Sequence, residues 1–308
     1  MPLAPRTPFD WHLRTRTFTL GPRTRIMGIV NVTPDSFSDG GHFFSPTKAL
    51  NHALQLLDEG ADLLDLGGES TRPNATPISP AEEQYRVLPV LKAILNARPE
   101  AILSIDTFHA ETARLAIEAG AEIVNDVSGH LWDLSMSTTC ARLRCGVILM
   151  HTRGTPQDWH TLPPLHPLLV MPTVLTGLRD SIYAARTAGT PSDNIVLDPG
   201  FGFGKLGDDN YIVHALFHQL HQFGLPILTG TSRKGFLTKT LTRLQADANP
   251  LREPLPPTES ARLHATTASN VAAILTGAHI VRVHDVRPTV EAAAIADAIL
   301  RAATTITA

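Results

Sequence analysis

The sequence predicts an α/β fold, a single-domain (β/α)₈ barrel of the TIM type with an N-terminal β-hairpin. Eight short β-branched or apolar runs alternate with longer stretches whose apolar residues recur at helical spacing. The same Gly-Ala pair recurs just before several of the strand-like runs. Alternating strands and helices favour a parallel sheet, and eight units favour closure into a barrel over an open, doubly wound sheet.

The strand-like runs are short and end in polar residues. They cover residues 25–33, 62–67, 102–106, 122–126, 146–151, 194–198, 226–231 and 280–284. Because active sites of such barrels lie at the C-terminal ends of the strands, these polar ends are the candidate site.

Helix signals lie between the strands. Residues 46–59 have apolar residues at helical spacing, and Pro80–Ala97 follows Ser79 as a candidate N-cap, with Pro80 at the first position and Glu82 completing a capping box. Glycines at 60, 120 and 277 precede strands and are expected to adopt a left-handed conformation at helix ends.

The remaining segments are predicted to be a hairpin and two loops. Residues 16–24, with Gly21-Pro22 as the turn, are expected to form a hairpin that covers the lower end of the barrel. We therefore divide the chain into an N-terminal extension with this hairpin, 1–24, and a barrel, 25–303. The Pro-rich stretches 152–167 and 245–259 are expected to be irregular loops.

Composition excludes several classes of protein. A chain of 308 residues with 43% hydrophobic and 18% charged residues is expected to be globular. A net charge of −3 with scattered Lys and Arg argues against nucleic acid as a partner, so any anionic ligand needs local positive charge assembled by folding. No apolar segment is long enough for a signal peptide or a membrane span, and Cys140 and Cys145 match neither a disulfide framework nor a metal site. We expect a cytoplasmic protein that does not bind membranes.

Several motifs in series resemble dihydropteroate synthases of the pterin-binding family. They are NVTPDSFSDGG at 31–41, GESTR at 68–72, SIDT at 104–107, NDVSG at 125–129, Met150-His151, DPGFGFGK at 198–205, SRK at 232–234 and RVHDV at 282–286. The second motif continues Pro73-Asn74, where the family usually has Pro-Gly. The resemblance implies a (β/α)₈ barrel that condenses 6-hydroxymethyl-7,8-dihydropterin pyrophosphate with p-aminobenzoate in folate biosynthesis.

Three polar strand ends suit a pterin. Its amino and ring N–H donors need acceptors, and Asp106, Asn125 and Asp198 supply carboxylates and an amide at positions that the family uses in this way. The alternatives are structural: Asp106 could cap the next helix, Asn125 could complete a turn, and Asp198-Pro199-Gly200 could be a turn only.

The last two strands end in groups that suit a pyrophosphate. By resemblance, Lys234, Arg282 and His284 contact the pterin or its pyrophosphate, together with Thr71. The competing interpretations are a hydrogen-bonded core histidine at His284 and a solvated amine at Lys234.

The resemblance also implies a magnesium ion and a p-aminobenzoate slot. Asn31 matches the family's metal ligand, with possible help from Asp35, although a structural Asn in a turn is an alternative; the histidine spacing does not support zinc. Thr71, Arg72, Phe203 and Ser232 match the positions used for p-aminobenzoate, and the glycines beside Phe203 favour a mobile loop over core packing.

The implied mechanism is dissociative. Asn31, Thr71, Lys234, Arg282 and His284 form the implied catalytic set, and no strong base is required because an aniline is nucleophilic at neutral pH. The loops 32–41 and 69–76 are expected to close over the reactants and exclude water. The family's homodimers imply a homodimer here. Rival hypotheses are a pterin-binding methyltransferase, a non-catalytic pterin-binding paralogue and a Schiff-base aldolase that uses Lys234.

Overall fold

Eight parallel strands form the barrel. A computed structural model of the chain describes residues 3–33, 46–70, 76–159, 161–248, 253 and 255–307. The barrel strands are β3 (Arg25–Asn31), β4 (Leu63–Gly67), β5 (Leu103–Asp106), β6 (Ile123–Asp126), β7 (Gly146–Met150), β8 (Ile195–Asp198), β9 (Leu228–Thr229) and β10 (Ile280–Val283). They pair in sequence from β3 to β8, β10 lies between β3 and β9, and a parallel bridge from Leu197 to Ile227 closes the ring. The predicted fold class is confirmed.

Helices surround the barrel. They are α1 (Pro46–Asp58), α2 (Pro80–Ala97), α3 (Ala110–Glu118), α4 (Met136–Leu143), α5 (Pro167–Thr187), α6 (Asp209–Ala215), α7 (Gly235–Ala248), α8 (Glu259–Leu275) and α9 (Val286–Thr307). The main hydrophobic core lies between these helices and the outward faces of the strands. None of the helices within these ranges combines the length and the apolar character that a membrane span requires.

Local signals placed several helix ends correctly. Ser79 accepts a hydrogen bond from the backbone N–H of Glu82 at 3.2 Å, so it caps α2 as predicted. The Glu82 carboxylate accepts from Arg86 Nε at 2.8 Å instead of completing the capping box. The glycines at helix ends have positive φ, 104° at Gly60, 113° at Gly120 and 101° at Gly277.

The hairpin lies earlier in the chain than predicted. Its strands are β1 (Phe9–His12) and β2 (Thr17–Leu20), so the chain reverses at 13–16, and Gly21 follows the second strand with a φ of 109°. The prediction of a Gly21-Pro22 turn is therefore wrong, because these residues link the hairpin to β3.

The hairpin does cover the lower end of the barrel. Trp11, Leu13 and Leu20 are buried against Leu63 and Ile123, which begin their strands. Trp11 Nε1 also donates to the carbonyl of Asn194 at 2.8 Å. The lower end is thus filled by side chains, which leaves the other end for a ligand. The boundary at residue 24 stays a prediction.

The two predicted loops are shorter than expected. α5 begins at Pro167, and α7 continues to Ala248, so the helix extends four residues into the stretch 245–259. The first four residues of the stretch 245–259 read QADA, in which glutamine and the two alanines are good helix formers. The Pro-rich composition of the whole stretch hid this local signal from the sequence interpretation.

Candidate active site

Four polar side chains meet inside the C-terminal end of the barrel. Strand register pairs Gly67 with Asp106 and Asp106 with Asn125, which aligns these strand ends. Arg282 Nη2 lies 2.5 Å from Asp106 Oδ2, and Arg282 Nε lies 2.6 Å from Asp65 Oδ2. Asn125 Nδ2 donates to the same Asp65 oxygen at 2.9 Å. One guanidinium therefore links two carboxylates, and one of these also holds the amide.

Asp65 is the member of this group that sequence reasoning missed. It lies in the middle of β4, in the run LLDLG, and its side chain is 0% exposed. Its Oδ1 atom is buried and has no hydrogen-bond partner. An acidic residue in an otherwise apolar strand was a usable signal, because a buried charge normally has a partner. Asp65 was missed because only the residues at the ends of the strands were considered as site candidates.

The contacts of Asp106 and Asn125 argue against the structural alternatives given for them, whereas Asp198 does take part in a turn. His109, not Asp106, precedes α3 at the cap position, and the Asp106 carboxylate binds Arg282. The Asn125 side chain, on β6, reaches past the neighbouring β5 to Asp65 on β4. Asp198 Oδ1 does accept from Gly200 N–H at 2.7 Å, so its turn is real.

Burial and neighbouring charges perturb the acidic groups. Burial raises the pKa of Asp106 to about 7, opposed by Arg282. Burial also raises the pKa of Asp198, opposed by the Gly200 N–H and by Lys234. Buried carboxyls with a raised pKa beside cationic side chains are typical of functional sites.

Lys234 lies close to the same carboxyls. Burial and the charge of Arg282 lower the pKa of Lys234 to about 8, while Asp198 and Asp106 raise it. Gly230 separates Arg282 from Asp198: a Cβ atom at Gly230 would lie 3.8 Å from Arg282 Cβ and 3.9 Å from Asp198 Oδ2. The two cations and the acidic groups thus lie close together at this end of the barrel.

His284 and Ser232 form a pair beside these cations. His284 Nδ1 lies 3.0 Å from Ser232 Oγ, which also accepts from the backbone N–H of His284 at 3.2 Å. Burial, followed by the charge of Arg282, lowers the pKa of His284 to about 3. Burial therefore disfavours the charged form of His284, so among the described residues next to Asp106 and Asp198 the positive charge comes mainly from Lys234 and Arg282.

An ion pair holds the two loops that carry these groups. Arg233 Nη2 lies 2.7 Å from Asp285 Oδ1, and Arg233 has a left-handed φ of 56°. The pair connects the residues that follow β9 with those that follow β10. It fixes Ser232 and Lys234 relative to His284.

Phe203 is packed, although the glycines beside it favoured a mobile loop over core packing. It is 8% exposed, its ring meets that of Trp159 edge to face at 5.3 Å, and Lys234 Nζ lies 3.9 Å from its centroid. Trp159 comes from the insertion after β7, which the glycine context around Phe203 could not reveal. One face of the ring is therefore directed at the cation of the site.

The remaining predicted residues lie at the edge of this group or outside the described ranges. Asn31 ends β3, pairs in register with Gly67 and is half-buried. Thr71, Arg72 and Asp35 lie outside the described residues, as do Gly40, Gly41, Pro73 and Asn74. Within the described ranges, no cluster of three or more His, Cys, Asp or Glu could hold a metal ion.

Known proteins resemble this chain over most of its length. A sequence model of the family described as pterin binding enzyme matches residues 27–284. The dihydropteroate synthase of Synechocystis sp. is 38% identical over 296 residues, which cover 96% of this chain and 94% of the relative. That of Escherichia coli K12 is 39% identical over 277 residues, with 90% and 92% covered.

The chain belongs to the dihydropteroate synthase family.

Solved structures of dihydropteroate synthases have the same fold. The Yersinia pestis enzyme in complex with a sulfonamide drug has a TM-score of 0.83 and 37% identity, covering 96% of this chain and 100% of that one. The Xanthomonas albilineans enzyme with 4-aminobenzoic acid has a TM-score of 0.81 and 38% identity, covering 95% and 98%. The predicted family and the prediction of a transferase are confirmed.

Proposed function

We propose that this dihydropteroate synthase joins 6-hydroxymethyl-7,8-dihydropterin pyrophosphate to p-aminobenzoate, giving 7,8-dihydropteroate and pyrophosphate. One observation carries the proposal: buried carboxyls and an amide lie beside Arg282 and Lys234 at the C-terminal end of the barrel. This polarity suits a ligand with N–H donors at one end and an anion at the other. Structures of relatives with pteroic acid and with 7,8-dihydropteroate support the substrate class.

The pterin would lie against Asp106, Asn125 and Asp198. Asn125 donates its amide N–H to Asp65. This contact orients the amide, so that Asn125 Oδ1 can accept from a donor on the ligand. Asp106 binds Arg282 through Oδ2, so its Oδ1 is the oxygen available to a pterin N–H. Because a buried acceptor without its donor is costly, these groups select a ring with donors in matching places.

The pyrophosphate would lie against Lys234, Arg282 and the Ser232–His284 pair. The two cations supply the positive charge, and confinement strengthens their attraction to a phosphate. A neutral His284 whose Nδ1 accepts from Ser232 would carry its proton on Nε2 and donate from there. In the family pattern Thr71 joins this group.

Magnesium is the proposed metal, and Asn31 is its proposed protein ligand. The amide oxygen of Asn31, at the end of β3, is the hard donor that Mg²⁺ prefers, and a single protein oxygen is enough when substrate phosphates supply the others. Bound there, Mg²⁺ would neutralise charge on the pyrophosphate as it leaves.

The proposed reaction breaks the bond between the pterin methylene carbon and the pyrophosphate oxygen. Arg282, Lys234 and His284 bind the pyrophosphate and stabilise its growing charge, so its oxygen leaves with the bonding electrons. The amine nitrogen of p-aminobenzoate then forms the bond to the methylene carbon and loses a proton to solvent. Phe203 and Ser232, with Thr71 and Arg72, would form the p-aminobenzoate slot.

The homodimer and the cytoplasmic location stay predictions.

The decisive test supplies the protein with the pterin pyrophosphate, p-aminobenzoate and Mg²⁺ and measures both products. Dihydropteroate and pyrophosphate should form in equal amounts. Asn125→Ala is expected to weaken pterin binding by about 10- to 100-fold, since it removes an acceptor from a buried site. Asn51→Ala, an exposed position on α1, is the matched control and should leave binding unchanged. Wild-type protein that binds pterin and yields no product would refute the proposal.

A further inference from the structure

Lys205, at the end of the GFGFGK run, is a buried lysine to which the proposed reaction gives no role. Its side chain is enclosed, and the residue is 4% exposed. The Nζ atom donates to three backbone carbonyls: Gly200 at 2.7 Å, His151 at 3.2 Å and Phe203 at 3.3 Å. All three donors of the ammonium therefore have acceptors within the protein, which leaves none for a ligand.

The three carbonyls come from two segments that lie in close contact. His151 directly follows β7, whereas Gly200 and Phe203 belong to the segment after β8. A Cβ atom at Gly200 would lie 2.0 Å from the His151 oxygen, and one at Gly204 would lie 2.2 Å from the Arg153 oxygen. Only glycines allow the two backbones to approach so closely, and their positive φ suits the same residues.

This close approach crowds carbonyl oxygens together inside the protein. Buried carbonyl oxygens need hydrogen-bond donors. Backbone N–H groups satisfy some of them; for example, the Arg153 N–H donates to the Phe203 carbonyl at 3.4 Å. The Lys205 ammonium supplies the rest and offsets the mutual repulsion of the oxygens. The position of the segment 199–205 therefore depends on this cation.

The same segment carries Phe203. The carbonyl of Phe203 is bound by Lys205, while its ring lies between Trp159 and Lys234. On the other side, Asn210 Oδ1 accepts from the Gly202 N–H at 2.7 Å, and Asn210 Nδ2 donates to the Lys205 carbonyl at 3.2 Å. A displacement of the Phe203 backbone, which would carry the ring with it, therefore breaks the contact between its carbonyl and the Lys205 ammonium.

We propose that Lys205 is a positioning residue that fixes segment 199–205 on the end of β7 and thereby sets the Phe203 ring as a wall of the p-aminobenzoate slot. The proposal rests on the proposed function, since it assigns that slot. It separates Lys205 from Lys234: the first acts through Phe203, and the second faces the ligands directly.

The test compares the two substrates in the full chain. Lys205→Met keeps the length of the side chain and removes the ammonium, so the KM for p-aminobenzoate should rise at least tenfold. The KM for the pterin pyrophosphate should rise several-fold less, since Gly200 in the same segment also donates to Asp198. Lys92→Met, at an exposed position on α2, should change neither KM. An equal rise in both KM values, or no rise, overturns the proposal.

A double-mutant cycle isolates the route through Phe203. In a Phe203→Ala background, Lys205→Met should change the KM for p-aminobenzoate less than twofold, whereas multiplicative effects would contradict the proposal. If Lys205→Met does not fold, Gly204→Ala strains the same segment and should raise the same KM selectively; failure to do so sinks the idea. Failure of the proposed function is distinct, because wild-type protein would then form no dihydropteroate.

Discussion

At the scale of single residues, the protonation of Lys234 should depend on whether the pyrophosphate is bound. Its pKa is lowered to about 8 by burial and by Arg282, so the free protein loses this positive charge above pH 8. A bound pyrophosphate favours the ammonium and raises its pKa. Binding should therefore take up a proton, and affinity should fall by up to about tenfold per pH unit above 8, until the pKa of the complex is reached.

Calorimetry of the pterin pyrophosphate in buffers of different ionisation enthalpy measures this proton uptake between pH 7 and 9.5. Lys234→Met should abolish the uptake that develops above pH 8. Burial raises the pKa of Asp106 to about 7, so this carboxyl contributes mainly at the lower end of this range. Burial lowers the pKa of Lys205, but its three carbonyl acceptors favour the ammonium. Uptake that is unchanged in the variant would assign the proton to another group.

The residue scale also shows where sequence interpretation stops. The types and order of Asp106, Asn125, Asp198, Lys234 and Arg282 were enough to predict that they converge, since parallel strands bring their ends together. The charge state of His284 was not predictable, because it depends on burial and on the nearby guanidinium. Asp65 could have been found from its position in an apolar strand, but its partners could not.

At the scale of elements, helix α2 supports the strand ends from outside through a buried acid. Glu83 is 0% exposed and accepts from Thr107 Oγ1 at 2.9 Å, directly after Asp106. Burial raises the pKa of Glu83 to about 7, opposed by hydrogen bonds from Thr112 and Thr107. A raised carboxyl pKa stabilises the fold fully below the unfolded pKa near 4.5, and this stability is lost as the pH rises through about 7.

Glu83→Gln should remove this pH dependence. The variant should exceed wild type in free energy of unfolding by about 1 kcal/mol at pH 5 and by about 3 kcal/mol at pH 8, since each pKa unit corresponds to about 1.4 kcal/mol. Urea unfolding at both pH values measures the difference. Glu82→Gln, exposed on the same helix, should stay within about 0.5 kcal/mol at both. Parallel behaviour of the two variants would contradict the role assigned to Glu83.

Elements were predicted better than their ends. Periodicity and capping placed α2 and all eight barrel strands, because each has a local cause in the sequence. The hairpin was misplaced because Gly21-Pro22 is a strong turn signal, while the actual reversal at 13–16 contains no glycine or proline. What fixes β1 is the burial of Trp11 under the barrel, a long-range contact that local signals do not contain.

At the scale of the whole molecule, the two ends of the barrel have separate tasks. The N-terminal end is closed by the hairpin and filled with apolar side chains, whereas the C-terminal end holds the cluster of polar side chains around Arg282. Stability and ligand binding should therefore respond to different substitutions. This separation explains why an apolar contact far from the cavity can hold the strands whose opposite ends bind the ligands.

Trp11→Ala tests this division of tasks. Trp11 is fully buried and also donates to the Asn194 carbonyl, so its removal leaves a cavity and an unpaired acceptor and should cost about 3–5 kcal/mol of unfolding free energy. Under conditions where the variant is folded, its affinity for the pterin pyrophosphate should match wild type, since the lost contacts lie at the other end of the barrel. Urea unfolding and calorimetry measure the two quantities, with Tyr85→Ala on the exposed face of α2 as a control for both. A large loss of ligand affinity in folded Trp11→Ala would mean that the lower end also shapes the site.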